Sequence, residues 1–112
     1  MVPAVTIDDL VAEAGARSIS LVKIDVQGAE MLVLEGAKRT LEQMRPALFV
    51  ELDDRNLVHF GSSAHALVAR LEQAGYQMHE LANEGSPRRL SHDRLFTDLQ
   101  THSYIDVLFL PM

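Results

Sequence analysis

Three side chains that can accept a proton lie at or just beyond two short apolar runs of the sequence. Asp25 lies within the run 21–26, Glu51 lies near the end of the run 47–52, and His59 follows in a polar stretch. Carboxylate and imidazole groups are common general bases in enzymes. We therefore predict Asp25, Glu51 and His59 as candidate catalytic residues that act as general bases.

The first apolar run predicts the element that positions Asp25. Residues 21–26 are rich in β-branched side chains, as is typical of a strand covered on both faces of a parallel sheet. Gly28 permits a turn, and Glu30 falls in the first turn of a helix, where the helix dipole favours negative charge. Asp25 is thus placed at the carboxyl end of a strand, where open α/β sheets bind their ligands.

The next two elements place Glu51 beside Asp25. Apolar residues at helical spacing predict a helix over residues 29–44, which must end before Pro46. Residues 47–52 then form a second apolar run that ends close to a carboxylate. A right-handed crossover makes two such strands parallel, so we expect Asp25 and Glu51 on the same edge of the sheet.

The remaining elements are predicted from capping residues and from the alternation of apolar side chains. Residues 82–103 are polar with a Gly-Ser-Pro turn, which predicts a long loop containing one short helical turn near residues 94–99. In chain order we predict a strand end at residues 2–5, a helix capped by Thr6 and closed by Gly15, a helix capped by Ser62 or Ser63 and closed by Gly75, a strand over 76–81, and a last strand over 104–110 that pairs antiparallel with it.

Composition limits the partners of the chain. Its 112 residues make one domain, and a net charge of −6 argues against nucleic acid, because binding to phosphates needs a basic surface. The chain has no cysteine, so it has neither disulfides nor thiolate metal sites. No apolar stretch approaches the roughly 20 residues that span a bilayer, and no signal peptide is recognisable, so the cytoplasm is the expected location.

Several motifs resemble a known family. They are Lys-Ile-Asp-Val-Gln-Gly-Ala-Glu at 23–30, Val-Leu-Glu-Gly-Ala at 33–37, Arg-Pro-Ala-Leu-Phe-Val-Glu at 45–51, His-Phe-Gly-Ser-Ser at 59–63 and Gly-Tyr at 75–76. Together they resemble the second half of the FkbM-type S-adenosylmethionine-dependent methyltransferases. The family commonly has Glu where this chain has Gln27. The resemblance implies that residues 1–112 are the C-terminal part of one methyltransferase domain.

The resemblance also implies a fold and a reaction. The fold would be a partial Rossmann-like α/β fold, with a mostly parallel sheet, helices on both faces and an antiparallel last strand. The reaction would be O-methylation of a sugar or small natural product with S-adenosylmethionine as cofactor. The sequence contains no Gly-x-Gly pattern, the hallmark of a nucleotide-binding loop. The cofactor-binding residues are thus expected on a missing N-terminal half, and the isolated chain is expected to be incomplete.

Other hypotheses remain open on the sequence alone. The acidic residues around Asp25 and Glu51 could hold a divalent metal, but no short ligand motif accompanies them, so we predict none. Arg88 and Arg89 could bind an anionic acceptor. The chain could instead be a non-catalytic binding module or another α/β protein, such as a receiver domain or part of a phosphodiesterase barrel. An unpaired apolar strand edge predicts pairing with the missing half or a second copy.

Overall fold

The computed structural model describes residues 6–26, 28–82 and 84–112. The strand end predicted at residues 2–5 lies outside these residues. The described helices are α1 (Ile7–Ala14), α2 (Glu30–Glu35), α3 (Lys38–Met44), α4 (Asp54–His59), α5 (Ala64–Gln73) and α6 (His92–Thr101). The described strands are β1 (Leu21–Ile24), β2 (Ala47–Leu52), β3 (Tyr76–Leu81), β4 (Pro87–Arg89) and β5 (Ile105–Pro111).

The five strands form one sheet in the order β1-β2-β5-β3-β4. The pair β1 and β2 is parallel, as predicted, while β5 runs antiparallel to both β2 and β3, and β4 runs antiparallel to β3. The α/β class and the antiparallel last strand are therefore confirmed. The expectation of a mostly parallel sheet is wrong, because β5 enters the sheet between β2 and β3 and β4 adds a hairpin to the far edge.

One face of the sheet carries the core. Ile24, Val50 and Val107 occupy one row of the register, and Leu48 and Phe109 the next, and all five are buried. Buried residues from α2 to α6 join them in a single cluster. On the opposite face of the sheet, no strand residue in the described ranges is buried. The expected helices on both faces are therefore not found in the described part of the chain.

The predicted helix caps are present. The hydroxyl of Thr6 accepts a hydrogen bond from the Asp9 N–H at 3.0 Å, and that of Ser63 accepts one from the Ala66 N–H at 3.0 Å. Gly15 ends α1 with a left-handed backbone, at φ 66°. These side chains satisfy N–H groups that the first turn of a helix leaves free.

The long helix predicted over residues 29–44 is interrupted at Gly36, between α2 and α3. The Gly36 carbonyl accepts a hydrogen bond from the Asp8 N–H at 2.9 Å. The Asp8 carboxylate in turn accepts hydrogen bonds from Arg39 N–H at 3.0 Å and from both N–H and hydroxyl of Thr40 at 2.8 and 2.7 Å. Burial alone would raise the pKa of Asp8, but these hydrogen bonds outweigh it and lower the pKa. The interruption is therefore where α1 docks.

The segment over residues 82–103, predicted as a loop with one helical turn near residues 94–99, contains β4 and α6, and the predicted turn is part of α6. The Ser91 hydroxyl caps α6 by accepting from the Arg94 N–H at 3.2 Å, and Leu95 is fully buried. Arg88 forms an ion pair with Glu80 at 2.8 Å, and Arg94 contacts the same carboxylate at 2.6 Å. Arg88 is therefore already paired, at the sheet edge opposite β1. None of the helices in the described ranges is long and apolar enough to cross a membrane.

Candidate functional site

Asp25 and Glu51 lie together where β1 and β2 end. The register pairs Ile24 with Val50 in parallel strands. The residues that follow them, Asp25 and Glu51, therefore lie at the same edge and on the same face of the sheet. Glu51 shares a side-chain hydrogen bond with Asp25. Both line a small pocket of about 100 Å³. The predicted meeting of these two carboxylates is therefore present in the structure.

A third carboxylate, Asp106, completes a row across three strands. Because β5 is antiparallel to β2, the beginning of β5 lies at the carboxyl end of β2, and Asp106 is the register partner of Glu51. Glu51 is thus flanked by like charges on both sides. Burial raises its pKa most, followed by the charge and hydrogen bond of Asp25, and then by the charges of Asp106 and Glu30. Glu51 therefore retains a proton to higher pH than an ordinary glutamate.

Glu30 holds the loop that follows β1. As predicted it opens α2, but its side chain is only 2% exposed and turns back into the loop. One carboxylate oxygen accepts from the Val26 N–H at 2.9 Å, and the other from the Gly28 N–H at 2.8 Å. Charged acceptors make the stronger class of hydrogen bond. The loop that begins at Asp25 is therefore fixed from its far side.

The same loop packs against the first turn of α4. Gly28 has φ 105°, and a Cβ placed on it would lie 2.4 Å from the carbonyl oxygen of Asn56. Asn56 is itself held by Asp53, which accepts hydrogen bonds from its backbone N–H and its side-chain amide, both at 3.2 Å. Only glycine combines this backbone angle with so close an approach. Gly28, in the loop after β1, therefore packs directly against Asn56 in the first turn of α4, which follows β2.

His59 does not join the carboxylates. It is exposed near the end of α4 and makes an edge-to-face contact with Phe60, with ring centroids 5.9 Å apart. The pocket that Asp25 and Glu51 line is completed by Lys23, Phe49 and Tyr104 among others, and His59 is not part of its lining. A catalytic role for His59 stays a prediction that this geometry does not support.

The pocket beside Asp25 is small, and the described residues contain no cluster of metal ligands. Within ranges 6–26, 28–82 and 84–112, no group of three or more His, Asp or Glu side chains is arranged to hold a metal ion. The pocket of about 100 Å³ beside Asp25 is well below the roughly 300–1,000 Å³ of ligand pockets. A molecule of the size of S-adenosylmethionine therefore does not fit in the pocket that Asp25 and Glu51 line.

The chain belongs to the FkbM methyltransferase family. A family model described as "Methyltransferase FkbM domain" matches residues 1–78, which include Asp25, Glu30 and Glu51. A curated relative is the 2-O-methyltransferase NoeI of Sinorhizobium fredii, with 45% identity over 51 residues. This match covers 46% of the chain and 21% of the relative, so the chain spans about a fifth of that protein. No solved structure matches the chain significantly.

Three features of the site were not predicted from the sequence: the positions of Asp106 and Tyr104 and the orientation of the Glu30 side chain. Asp106 and Tyr104 reach the carboxylate pocket from the beginning of β5. The prediction of an antiparallel last strand already contained the signal, because such a strand brings its first residues to the carboxyl ends of its parallel neighbours. The inward turn of Glu30 had no comparable signal, since local sequence does not show which carboxylate the folded loop will enclose.

Proposed function

We propose that this chain supplies the acceptor side of an S-adenosylmethionine-dependent methyltransferase that methylates a hydroxyl of a sugar or small natural product. The observation that carries the proposal is the hydrogen-bonded pair of Asp25 and Glu51, placed at one end of the parallel strands in a chain of the FkbM family. The 2-O-methyltransferase activity in the name of the NoeI relative supports oxygen as the methylated atom.

The carboxylate pair would serve as the proton acceptor. An oxygen nucleophile must lose its proton as it gains the methyl group, and a positioned carboxylate typically accelerates such a step by about 10²–10⁴-fold. The raised pKa of Glu51 means that one proton is held within the pair more readily than on an isolated glutamate. Asp25, exposed at the mouth of the pocket, is the member that an acceptor hydroxyl can reach.

The cofactor would be bound by residues outside the described part of this chain. The small pocket at Asp25 supports this, because its volume of about 100 Å³ leaves no room for the cofactor beside the carboxylate pair. We propose that the segment that completes the site covers the half-exposed face of the sheet and pairs with the outer edge of β1. Leu21, 59% exposed on β1, lies on this face, and β1 pairs with β2 alone among the described strands. An uncovered strand edge is a ready template for another strand.

The test is methyl transfer from S-adenosylmethionine to a panel of methyl glycosides, measured with the full native polypeptide that contains this chain. Asp25→Asn keeps the shape of the side chain and removes its basicity. We expect kcat to fall at least about 100-fold while the affinity for S-adenosylmethionine, measured by calorimetry, is unchanged. The control variant is Asp93→Asn, which changes an exposed carboxylate on α6.

Two results would contradict the proposal. An unchanged kcat for Asp25→Asn would remove the carboxylate pair from the reaction. A full polypeptide that is folded but neither binds S-adenosylmethionine nor transfers its methyl group would remove the methyltransferase assignment itself. For the covered face, a strictly monomeric and folded 112-residue chain in light scattering across concentration would exclude association through a second copy.

A further inference from the structure

The two tyrosines of the chain have opposite surroundings. Tyr76 is buried, its hydroxyl donates to the Pro46 carbonyl at 2.8 Å, and the Arg45 guanidinium lies 4.8 Å from its ring centre. Tyr104 is 51% exposed, and within the described part of the chain its side chain has no hydrogen bond, ion pair or contact with another aromatic ring. Packing of the described residues therefore accounts for Tyr76 and does not account for Tyr104.

Tyr104 lies at the pocket of the carboxylate pair. It directly precedes β5, two residues before Asp106, and it lines the same pocket as Asp25 and Glu51. The beginning of β5 lies beside the end of β2, because the two strands are antiparallel and Glu51 is the register partner of Asp106. Tyr104 is therefore placed beyond the row of carboxylates, at the edge of the sheet where β2 ends.

A second aromatic ring, that of Phe49, lines the pocket from the other side of the row. Phe49 precedes Glu51 by two residues in β2, as Tyr104 precedes Asp106, and side chains two residues apart in a strand share a face. Because β2 and β5 run in opposite directions, these two rings lie on opposite sides of the carboxylates. Phe49 is half-buried toward the middle of the sheet, so Tyr104 is the ring that a ligand arriving from solvent can contact.

An aromatic ring supplies what the carboxylates lack. Asp25 and Glu51 can bind a hydroxyl, but they offer no flat apolar surface that fixes how the rest of an acceptor lies. A tyrosine ring offers such a surface and loses little conformational entropy when a ligand packs on it. A ring-shaped alcohol that lies on Tyr104 would therefore have the orientation of its hydroxyl restricted beside the carboxylate pair.

We propose that Tyr104 is a specificity-determining residue of the acceptor site: its ring is the surface on which the ring of the acceptor lies while an acceptor hydroxyl meets Asp25. The inference rests on the proposed methyltransferase function. It goes beyond that function because it assigns the orientation of the acceptor to one named side chain, and the contact can be measured without methyl transfer.

The first test is methyl transfer to methyl mannoside and methyl glucoside by the full native polypeptide that contains this chain. Tyr104→Ala removes the ring, so we expect KM for the glycoside to rise about tenfold while kcat changes by less than about threefold. Tyr104→Phe keeps the ring and should stay within about twofold of wild type in both constants. The control Phe60→Ala removes another exposed ring that does not line the pocket, and it should change neither constant.

The second test measures binding alone. Saturation-transfer difference NMR detects the ligand protons that lie against a protein, and it is applied to the same polypeptide with each glycoside in the absence of S-adenosylmethionine. We expect the C–H protons of at least one glycoside to receive saturation in wild type and in Tyr104→Phe. Tyr104→Ala should lose most of this signal, while Phe60→Ala should keep it.

The outcomes separate the role of Tyr104 from the proposed reaction. If the polypeptide methylates a glycoside with the same KM in wild type and in Tyr104→Ala, the role of Tyr104 is wrong and the reaction stands. The role is also wrong if neither glycoside gives a saturation signal, or if Tyr104→Ala leaves the signal unchanged. A melting temperature lowered by Tyr104→Ala but not by Phe60→Ala, with weaker binding of S-adenosylmethionine, would overturn it in favour of an anchor for the covering segment. If no methyl group is transferred, the proposed function fails, and a signal that depends on Tyr104 still supports the contact.

Discussion

The role of Glu30 can be tested by replacing its carboxylate with an amide. In the native chain the two oxygens of Glu30 accept the Val26 and Gly28 N–H groups at 2.9 and 2.8 Å, and the side chain is buried. Glu30→Gln keeps the size of the side chain but leaves one oxygen acceptor and one NH₂ group. One of the two backbone N–H groups then faces another donor and loses its partner.

The expected loss of stability follows from these two contacts. A hydrogen bond to a charged group contributes about 1.5–3 kcal/mol, and an uncharged one about 1 kcal/mol. Losing one charged bond and making the other uncharged should lower the free energy of unfolding by about 3 kcal/mol. A chain of 112 residues is stable by about 6–17 kcal/mol at typical values per residue, so the variant should remain folded.

The assay is equilibrium unfolding in urea, combined with hydrogen exchange at the Val26 and Gly28 amides. Both amides should exchange faster in Glu30→Gln while those of β2 are less affected, because the loop opens locally before the sheet does. Glu35→Gln, an exposed carboxylate at the other end of α2, is the matched control and should change stability by less than about 0.5 kcal/mol. Equal stability of the two variants would refute the assignment of Glu30 as the residue that holds the loop.

Two further predictions concern the same edge of the sheet. Gly28→Ala should destabilise the chain by about 2–5 kcal/mol in urea unfolding, because Gly28 has φ 105° and the new Cβ would collide with the Asn56 backbone. The control Gly61→Ala, at φ 81° with open space around it, should cost only about 1 kcal/mol. Equal costs for the two variants would contradict the packing of Gly28 against Asn56. Because the pKa of Glu51 is raised above its ordinary 4.5, the native state binds this proton more tightly than the unfolded state, so this contribution to stability is present below pH 4.5 and is lost as the pH rises through the raised pKa. Glu51→Gln should therefore gain stability relative to wild type over that pH window in thermal melts, and a difference that does not change with pH would show that Glu51 is not perturbed.

The sequence predicted the proximity of Asp25 and Glu51 because that part of the fold follows local rules. Two apolar runs separated by a helix make a parallel pair, and a parallel pair brings its carboxyl ends together. Asp25 and Glu51 therefore meet as expected, and the structure adds the hydrogen bond between them. The sheet is less parallel than predicted because β5 lies between β2 and β3 and runs antiparallel to both. The position of β5 is set by tertiary packing, and no local sequence pattern predicts it.

The sequence did not predict α4 or β4, and for α6 it predicted only a short helical turn near residues 94–99; both helices are polar and begin at a capping residue. Residues 53–59 begin with four polar residues, and no helix was predicted there, but Asp53 caps α4 by accepting a hydrogen bond from the Asn56 N–H. Ser91 caps α6 in the same way, three residues before Arg94. Each helix fully buries one residue, Leu57 or Leu95, and has few other apolar residues, so its apolar signal is sparse although its cap is clear. In short helices of this kind the capping residue is the better signal.

The half-exposed face of the sheet and the row of carboxylates are parts of one surface. Whatever packs on this face would therefore also change the surroundings of the carboxylates. Asp25, Glu51 and Asp106 form the last row of the face that lacks buried strand residues in the described ranges. Any segment that covers this face removes water from the carboxylates as well as from the apolar side chains. Desolvation raises the pKa of a carboxyl group, while a cation held nearby lowers it. If the proposed function is correct, a covering segment would therefore set the basicity of the pair, and the proposed role of Asp25 as proton acceptor would depend on what packs against this face.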